Sequence, residues 1–144
     1  MFDERPAGGL GVSKLTDVLE ECVSSLPMDE PRFAVLGFDN CAMNLVEIGY
    51  QFRGVTDYLV SSEGFIPESG WDYERPLSRL VRKPEMDGKT FASLLVETFA
   101  KSQFIFAAGG RSIDISACRV CKSDDLVRAI NELARILNEV VPRT

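Results

Sequence analysis

The fold of this chain is decided by the stretch Phe33-Ala34-Val35-Leu36-Gly37-Phe38-Asp39-Asn40-Cys41. Its first six residues form a short apolar run, which is typical of a strand buried on both faces of a parallel sheet. From Ala42 the pattern changes to an apolar stripe with helical spacing, so Asp39 and Cys41 are predicted to lie between a strand and a helix that begins there. α/β proteins place their chemistry at such junctions.

The rest of the chain alternates between helical and strand patterns. Helices are predicted over 13–25, 74–82 and 87–101 and from Ser123 onward, and further strands over 57–62, 104–107 and 112–115. The apolar side of the last helix, with Leu126, Ile130 and Leu133, is expected to be buried. These patterns predict one α/β domain over residues 1–144, with helices on both faces of a sheet.

Composition excludes several classes of function. The chain has 144 residues, 45% of them hydrophobic and 26% charged, as in soluble globular proteins. Its formal charge is -6 and no basic cluster exceeds Arg82-Lys83, so nucleic acid is not a predicted partner. No apolar run approaches the ~18 to 20 residues that span a bilayer, and no signal-peptide pattern is present. Membrane association is therefore not predicted, and the localisation stays undetermined.

Cysteine and histidine usage narrows the chemistry. Cys22, Cys41, Cys118 and Cys121 are too few and too unevenly spaced for a disulfide framework, so reduced thiols are expected. The last two have redox or half-zinc spacing, but no second pair or histidine accompanies them. Neither a metal site nor a cofactor is predicted. The sequence contains no histidine, which removes the commonest general base.

Cys41 is the chemically most telling residue. At a helix N-terminus, unpaired backbone N–H groups and the helix dipole favour a thiolate. The same N–H groups can hold the oxyanion formed when a carbonyl is attacked. The alternative is that Cys41 is a small buried apolar filler, as free cysteines commonly are.

The sequence around Cys41 resembles a known family. Gly37-Phe38-Asp39-Asn40-Cys41-Ala42-Met43, followed by Glu47 and Tyr50, resembles the nucleophile segment of clostripain-type cysteine peptidases. That segment usually reads Gly-Phe-Asp-x-Cys-x-Met, then Glu and Tyr in a helix. The resemblance continues in order through 57–63, 70–73 and 113–116, and so covers most of the chain.

The resemblance implies a fold and an activity. The fold would be a caspase-like three-layer α/β/α sandwich with a mostly parallel sheet. The activity would be cleavage of peptide bonds after Arg or Lys in a peptide or protein substrate, by a Cys-His dyad with a thioester intermediate. Cys41 would attack, a histidine would protonate the leaving amine, and water would release the acyl group.

Acidic and aromatic residues near Cys41 are candidates for binding a basic substrate. Asp39 matches the aspartate of the family motif. It is the first candidate for the carboxylate that would bind the cationic side chain of the substrate. The alternative is that Asp39 orders a loop or caps a helix. Glu63, Glu68 and Asp72 are further candidates in the following loop, although most such residues are merely solvated. Trp71 resembles the aromatic wall of a caspase-like cleft, or anchors its loop to the core.

The histidine implied by the resemblance is absent. In the family it belongs to a His-Gly motif upstream of a region that resembles residues 10–24. Either the chain is truncated and lacks the first strands and the histidine segment, or it is a degenerate relative that binds peptides without cleaving them. Truncation is favoured, because the strand over 33–38 needs further partners to be buried in a parallel sheet. The chain alone is expected to be inactive, with the missing N-terminal segment as a possible partner.

Overall fold

The computed structural model describes residues 10–26 and 32–140, so the ends of the predicted domain, 1–9 and 141–144, lie outside the described part. The strands are β1 (Phe33–Gly37), β2 (Thr56–Ser61) and β3 (Ser116–Arg119). The α-helices are α1 (Val12–Ser24), α2 (Val46–Gln51), α3 (Glu74–Arg82), α4 (Gly88–Ser102), α5 (Phe104–Ala108) and α6 (Ser123–Val140), and 3-10 turns cover Phe52–Gly54 and Val120–Lys122.

The sheet has the order β1-β2-β3, with β2 in the centre. β1 runs parallel to β2, with Val35 opposite Tyr58, and α2 connects the two strands. β3 is antiparallel to β2, with Cys118 opposite Leu59. The predicted strand-helix-strand unit is therefore present, and it brings the carboxyl ends of β1 and β2 to the same edge of the sheet.

Helices cover both faces of the sheet. On one face Phe52, Leu59 and Val120 form a buried cluster, against which side chains of α1 and α2 pack. On the other face Val60 packs against Ala92 and Leu95 of α4. Burial of a large apolar side chain contributes about 1.5–3 kcal/mol. The expected three-layer α/β/α arrangement is thus confirmed.

Three predicted elements differ from the structure. Residues 104–107 belong to helix α5, since a short apolar run fits a helix as well as a strand. The strand predicted over 112–115 instead occupies Ser116–Arg119. Helix α2 begins at Val46 and not at Ala42. The N–H groups of Ala42 and Asn44 bond to the carbonyls of two residues just after β2, so tertiary contacts override the helical pattern.

The apolar side of α6 is exposed, contrary to expectation. Leu126, Ile130 and Leu133 are 46%, 49% and 56% exposed. The amphipathic pattern predicted the helix correctly. Within the described residues α6 contacts α2 and the turn Val120–Lys122, but these contacts leave about half of each of the three apolar side chains exposed. In the described ranges, no helix combines the length and the apolarity that crossing a membrane requires.

Candidate active site

The segment 38–44, here called the Cys41 turn, leaves β1 and is fastened to the end of β2. The N–H of Phe38 donates to the carbonyl of Val60 (3.0 Å). The hydroxyl of Ser61 donates to the carbonyls of Phe38 (2.8 Å) and Asn40 (3.2 Å). These bonds continue the parallel β1–β2 pairing beyond the last strand residue and fix the start of the turn.

The residue after Cys41 has an unusual backbone. Ala42 has a φ of 56°, the left-handed region that costs a non-glycine residue roughly 1–2 kcal/mol. The N–H of Ala42 donates to the carbonyl of Gly64 (3.0 Å), and that of Asn44 donates to the carbonyl of Ser62 (3.1 Å). These bonds hold the strained conformation, and such strain is concentrated at functional sites.

Asn44 anchors the end of the turn, a role that the sequence analysis did not identify. Its side chain is buried, and Nδ2 donates to Oγ (2.6 Å) and to the carbonyl (3.1 Å) of Ser116 and to the carbonyl of Ser61 (3.3 Å). It therefore ties the turn to both β2 and β3. A polar residue between Met43 and Leu45 in an apolar stripe was the available signal.

Cys41 is half-buried, and its sulfur meets a backbone donor. The N–H of Ile66 donates to Sγ (3.2 Å), while the N–H of Cys41 itself donates to Oδ1 of Asn40 (2.9 Å). The prediction that Cys41 lies at a helix N-terminus was wrong, since α2 begins at Val46. The N–H group beside the sulfur comes instead from the loop that follows β2.

Asp39 organises that same loop. Its Oδ2 accepts the N–H of Trp71 (2.9 Å) and the hydroxyl of Tyr73 (2.8 Å). Gly70 has a φ of 64°, and a Cβ added there would lie 2.6 Å from this Oδ2. The loop-ordering role of Asp39 is therefore visible. Its other oxygen, Oδ1, accepts no hydrogen bond from the described residues.

Tyr73 belongs to the site although the sequence analysis did not select it. Tyr73 is 50% exposed; its partial burial, together with the Asp39 carboxylate that accepts its hydroxyl, raises the pKa of Tyr73 to about 12. The phenol is consequently a stable hydrogen-bond donor at neutral pH. Its position beside Trp71 and Asp72 was the only available signal.

Trp71 packs against the sheet. Its ring lies so close to Gly37 that a Cβ there would be 3.0 Å away, and it contacts the cluster around Val60. The Tyr73 ring is 6.3 Å from it, centroid to centroid. Nε1 of Trp71 is buried and has no hydrogen-bond partner among the described residues. The ring thus anchors the loop; its predicted role as a wall of the substrate cleft stays a prediction.

The end of α4 holds the same loop from the other side. Gln103 is buried, and its Nε2 donates to the carbonyl of Gly70 (3.1 Å) and to Oγ of Ser69 (3.2 Å). Segment 66–73, here called the cleft loop, is therefore fixed by Asp39 on one side and by Gln103 on the other. It contacts both the carboxylate of Asp39 and the thiol of Cys41.

The remaining predicted substrate residues are placed differently. Asp72 forms an ion pair with Arg75 at the start of α3, with 3.2 Å between Oδ2 and Nε. The backbone N–H of Arg75 also donates to Oδ1 of Asp72 (3.4 Å). The exposed carboxylates of Glu63 and Glu68 make no hydrogen bond or ion pair within residues 10–26 and 32–140. The structure thus brings Asp39, Trp71 and Cys41 together around one loop. Across the described ranges, no three potential ligand side chains are grouped as a metal ion would require.

Solved structures share this fold. A cysteine protease from B. fragilis aligns with a TM-score of 0.64 at 19% identity, over 88% of this chain and 50% of that chain. A clostripain from Bacteroides thetaiotaomicron, in complex with a peptide inhibitor, aligns with a TM-score of 0.65 at 17% identity. The alignment covers 92% of this chain and 52% of that chain. A secreted C11 cysteine protease from the same species, also with a peptide inhibitor, aligns with a TM-score of 0.61 at 24% identity. The alignment covers 85% of this chain and 33% of that chain.

The sequence itself matches the family model described as the clostripain family, over residues 1–142. No curated protein gives a significant match. The chain spans about half the length of the first two structures. The family match covers nearly all of the 144 residues, and the fold agrees with it. The chain therefore belongs to the clostripain family of cysteine peptidases.

Proposed function

We propose that this chain carries the nucleophile and the basic-residue recognition site of a cysteine endopeptidase, with Cys41 as the nucleophile. One observation carries the proposal: the cleft loop contacts both the Cys41 thiol and the Asp39 carboxylate, so a reactive atom and a specificity carboxylate share one edge of the sheet. The strained backbone of Ala42 beside Cys41 agrees with a site built for chemistry.

The proposed reaction is acyl transfer to sulfur. Sγ of Cys41 attacks the carbonyl carbon of the scissile bond, the amine leaves with a proton, and water hydrolyses the resulting thioester. The oxyanion needs backbone donors close to the sulfur. The N–H of Cys41 is suitably near, but Oδ1 of Asn40 now accepts it at 2.9 Å. The Asn40 side chain has to turn away before this N–H can serve.

Asp39 is the proposed contact for an Arg or Lys side chain. Asp39 is exposed, and both of its hydrogen bonds to Trp71 and Tyr73 use Oδ2, which leaves Oδ1 without a partner among the described residues. The hydroxyl of Tyr73 bonds to this carboxylate, the Tyr73 ring lies 6.3 Å from the Trp71 ring, and aromatic faces also attract cations. The inhibitor of the B. thetaiotaomicron clostripain is BTN-VLTK-AOMK, which contains a lysine. Glu63, Glu68 and Asp72 are secondary candidates.

The histidine that protonates the leaving amine in the family mechanism is not among these 144 residues. We therefore expect the isolated chain to be inactive. β1 offers a docking place for a missing segment of the same domain, because among the described strands it pairs only with β2. A further strand could add to its free edge through main-chain hydrogen bonds.

The test is turnover of fluorogenic peptides ending in Arg or Lys by the full-length gene product. Cys41→Ala should lower kcat/KM by several orders of magnitude, as expected for a removed nucleophile. Cys22→Ala is the matched control, because Cys22 is exposed on α1. Equal turnover by Cys41→Ala and the unsubstituted protein would remove Cys41 from the mechanism.

A second candidate function is a degenerate peptidase fold that binds basic peptides without cleaving them. The lack of histidine favours it. In that case a lysine-ending peptide should bind the chain through Asp39, Glu63 and Trp71, and Cys41→Ala should leave its affinity unchanged. The DNA upstream of Met1 separates the two functions: an in-frame strand ending in His-Gly supports the enzyme, and a ribosome-binding site supports the module.

A further inference from the structure

Asp114 lies just before β3, and its carboxylate accepts hydrogen bonds from the residues that directly follow β2. Its Oδ1 accepts the hydroxyl of Ser62 (3.0 Å) and the N–H of Gly64 (3.0 Å). Its Oδ2 accepts the N–H of Glu63 (2.6 Å) and, more weakly, that of Gly64 (3.3 Å). Three consecutive residues thus donate to one carboxylate, and hydrogen bonds to an ionised acceptor are the stronger kind.

Gly64 is required for this close approach. A Cβ added at Gly64 would lie 2.6 Å from Oδ1 of Asp114, too close for any real side chain. The glycine is needed here for space and not for a left-handed backbone, which is found only at Gly70 and Gly110 among the described glycines. The carboxylate and the backbone of residue 64 are therefore fitted to each other.

Asp114 bonds to residues 62–64, and the segment 62–66 that begins with them supports the backbone around Cys41 and its sulfur at three points. The carbonyl of Ser62 accepts the N–H of Asn44, and the carbonyl of Gly64 accepts the N–H of Ala42. Two residues further on, the N–H of Ile66 reaches Sγ of Cys41 at 3.2 Å. Both the backbone after Cys41 and its sulfur therefore depend on this segment.

We propose that Asp114 is a positioning residue for Cys41: its two carboxylate oxygens fix segment 62–66, and this segment holds the thiol in place. Asp114 acts through that segment and does not touch the sulfur. The proposal rests on Cys41 being the nucleophile, but its test reads the placement of the thiol directly. The two claims can therefore fail separately.

The geometry predicts that an amide cannot replace the carboxylate. Donors approach both oxygens of Asp114, from Ser62 and Gly64 on one and from Glu63 on the other. Asp114 is exposed, so burial adds no penalty, but an asparagine would present an NH₂ group to one set of these donors and that set would lose its acceptor. Asp114→Asn should therefore behave more like Asp114→Ala than like the unsubstituted chain.

The experiment is alkylation of the folded 144-residue chain by iodoacetamide, followed by mass spectrometry of each cysteine. The rate at Cys41 is divided by the rate at the exposed Cys22 of α1. In Asp114→Ala and Asp114→Asn the segment 62–66 should be released, which uncovers Sγ of Cys41. The ratio of the two alkylation rates should then rise about tenfold or more, because the loss of a charge-assisted hydrogen bond changes an opening equilibrium by about that factor. Ser62→Ala, which removes one donor, should give a smaller rise and serves if the Asp114 variants do not fold.

Asp87→Ala is the matched control. Asp87 caps α4 by accepting two bonds from Thr90, so it is also a structural carboxylate, and its hydrogen bonds among the described residues do not involve segment 62–66. Asp87→Ala should leave the ratio within about twofold of the unsubstituted chain, because local and global opening are distinct. An unchanged ratio in Asp114→Ala and Ser62→Ala, or an equal rise in Asp87→Ala, would overturn the proposal.

Discussion

Gly70→Ala tests the link between the cleft loop and Asp39. Two costs are expected. The φ of 64° costs an alanine about 1–2 kcal/mol. The new Cβ would also lie 2.6 Å from Oδ2 of Asp39, the atom that accepts bonds from Trp71 and Tyr73. Displacing the carboxylate adds about 1.5 kcal/mol, the lower end for bonds to a charged group, because these bonds are exposed.

Gly110→Ala is the matched control. Gly110 has a φ of 77°, and a Cβ there would meet no atom within 4 Å. Urea denaturation should therefore show a loss of about 1–2 kcal/mol for Gly110→Ala and about 2.5–3.5 kcal/mol for Gly70→Ala. In an Asp39→Ala background the extra loss at Gly70 should vanish, since no carboxylate is left to displace. Equal losses at the two glycines, or an extra loss that persists without Asp39, would refute this reasoning.

Three further predictions concern the core, the turn and the pH dependence. Phe52→Ala, at a fully buried position, should lower the free energy of unfolding by about 3–5 kcal/mol, and Val81→Ala, at an 81% exposed one, by less than about 0.5 kcal/mol; calorimetry would check both. Ala42→Gly should relieve backbone strain and leave stability equal or higher in urea denaturation, whereas a clear loss would contradict the left-handed backbone. Because the pKa of Tyr73 is raised to about 12, its contribution to stability should be complete below pH 10 and lost as pH rises through 12. Ultraviolet titration, with Tyr73→Phe as the reference, should show the midpoint of Tyr73. In Asp39→Asn this midpoint should fall only partway toward 10, because burial, the larger cause of the raised pKa, remains. A Tyr73 midpoint near 10 in the unsubstituted chain would contradict the prediction.

Elements with a clear apolar period were predictable from the sequence. β1 reads as a continuous apolar run, and α3 and α4 show helical spacing, so all three were predicted close to their observed bounds. The start of α2 was not predictable, because the N–H groups of Ala42 and Asn44 bond to residues distant in the sequence. The periodicity of α6 likewise predicted a helix but could not show that its apolar side is uncovered.

The candidate site was predictable in type but not in detail. Cys41 and Asp39 follow an apolar run that predicts a strand, and that position indicated chemistry, although the strand itself, β1, is only half-buried at the edge of the described sheet. The partners of Asp39 and Cys41, namely Tyr73 and the N–H of Ile66, come from a loop with no periodic pattern. Asp114 lies more than 70 residues from Cys41, and only the β2–β3 pairing brings it near. Such long-range polar contacts leave no local signal in a single sequence.

The most direct test of the central claim is where a lysine-ending peptide electrophile reacts on the chain. Simple accessibility favours Cys22 and Cys118, which are exposed, whereas Cys41 is half-buried. If Asp39 binds the lysine and so places the electrophile beside Sγ, mass spectrometry should find the adduct mainly on Cys41, because proximity outweighs exposure. Asp39→Asn should abolish this preference. An adduct distributed according to exposure, and unaffected by Asp39→Asn, would contradict the account.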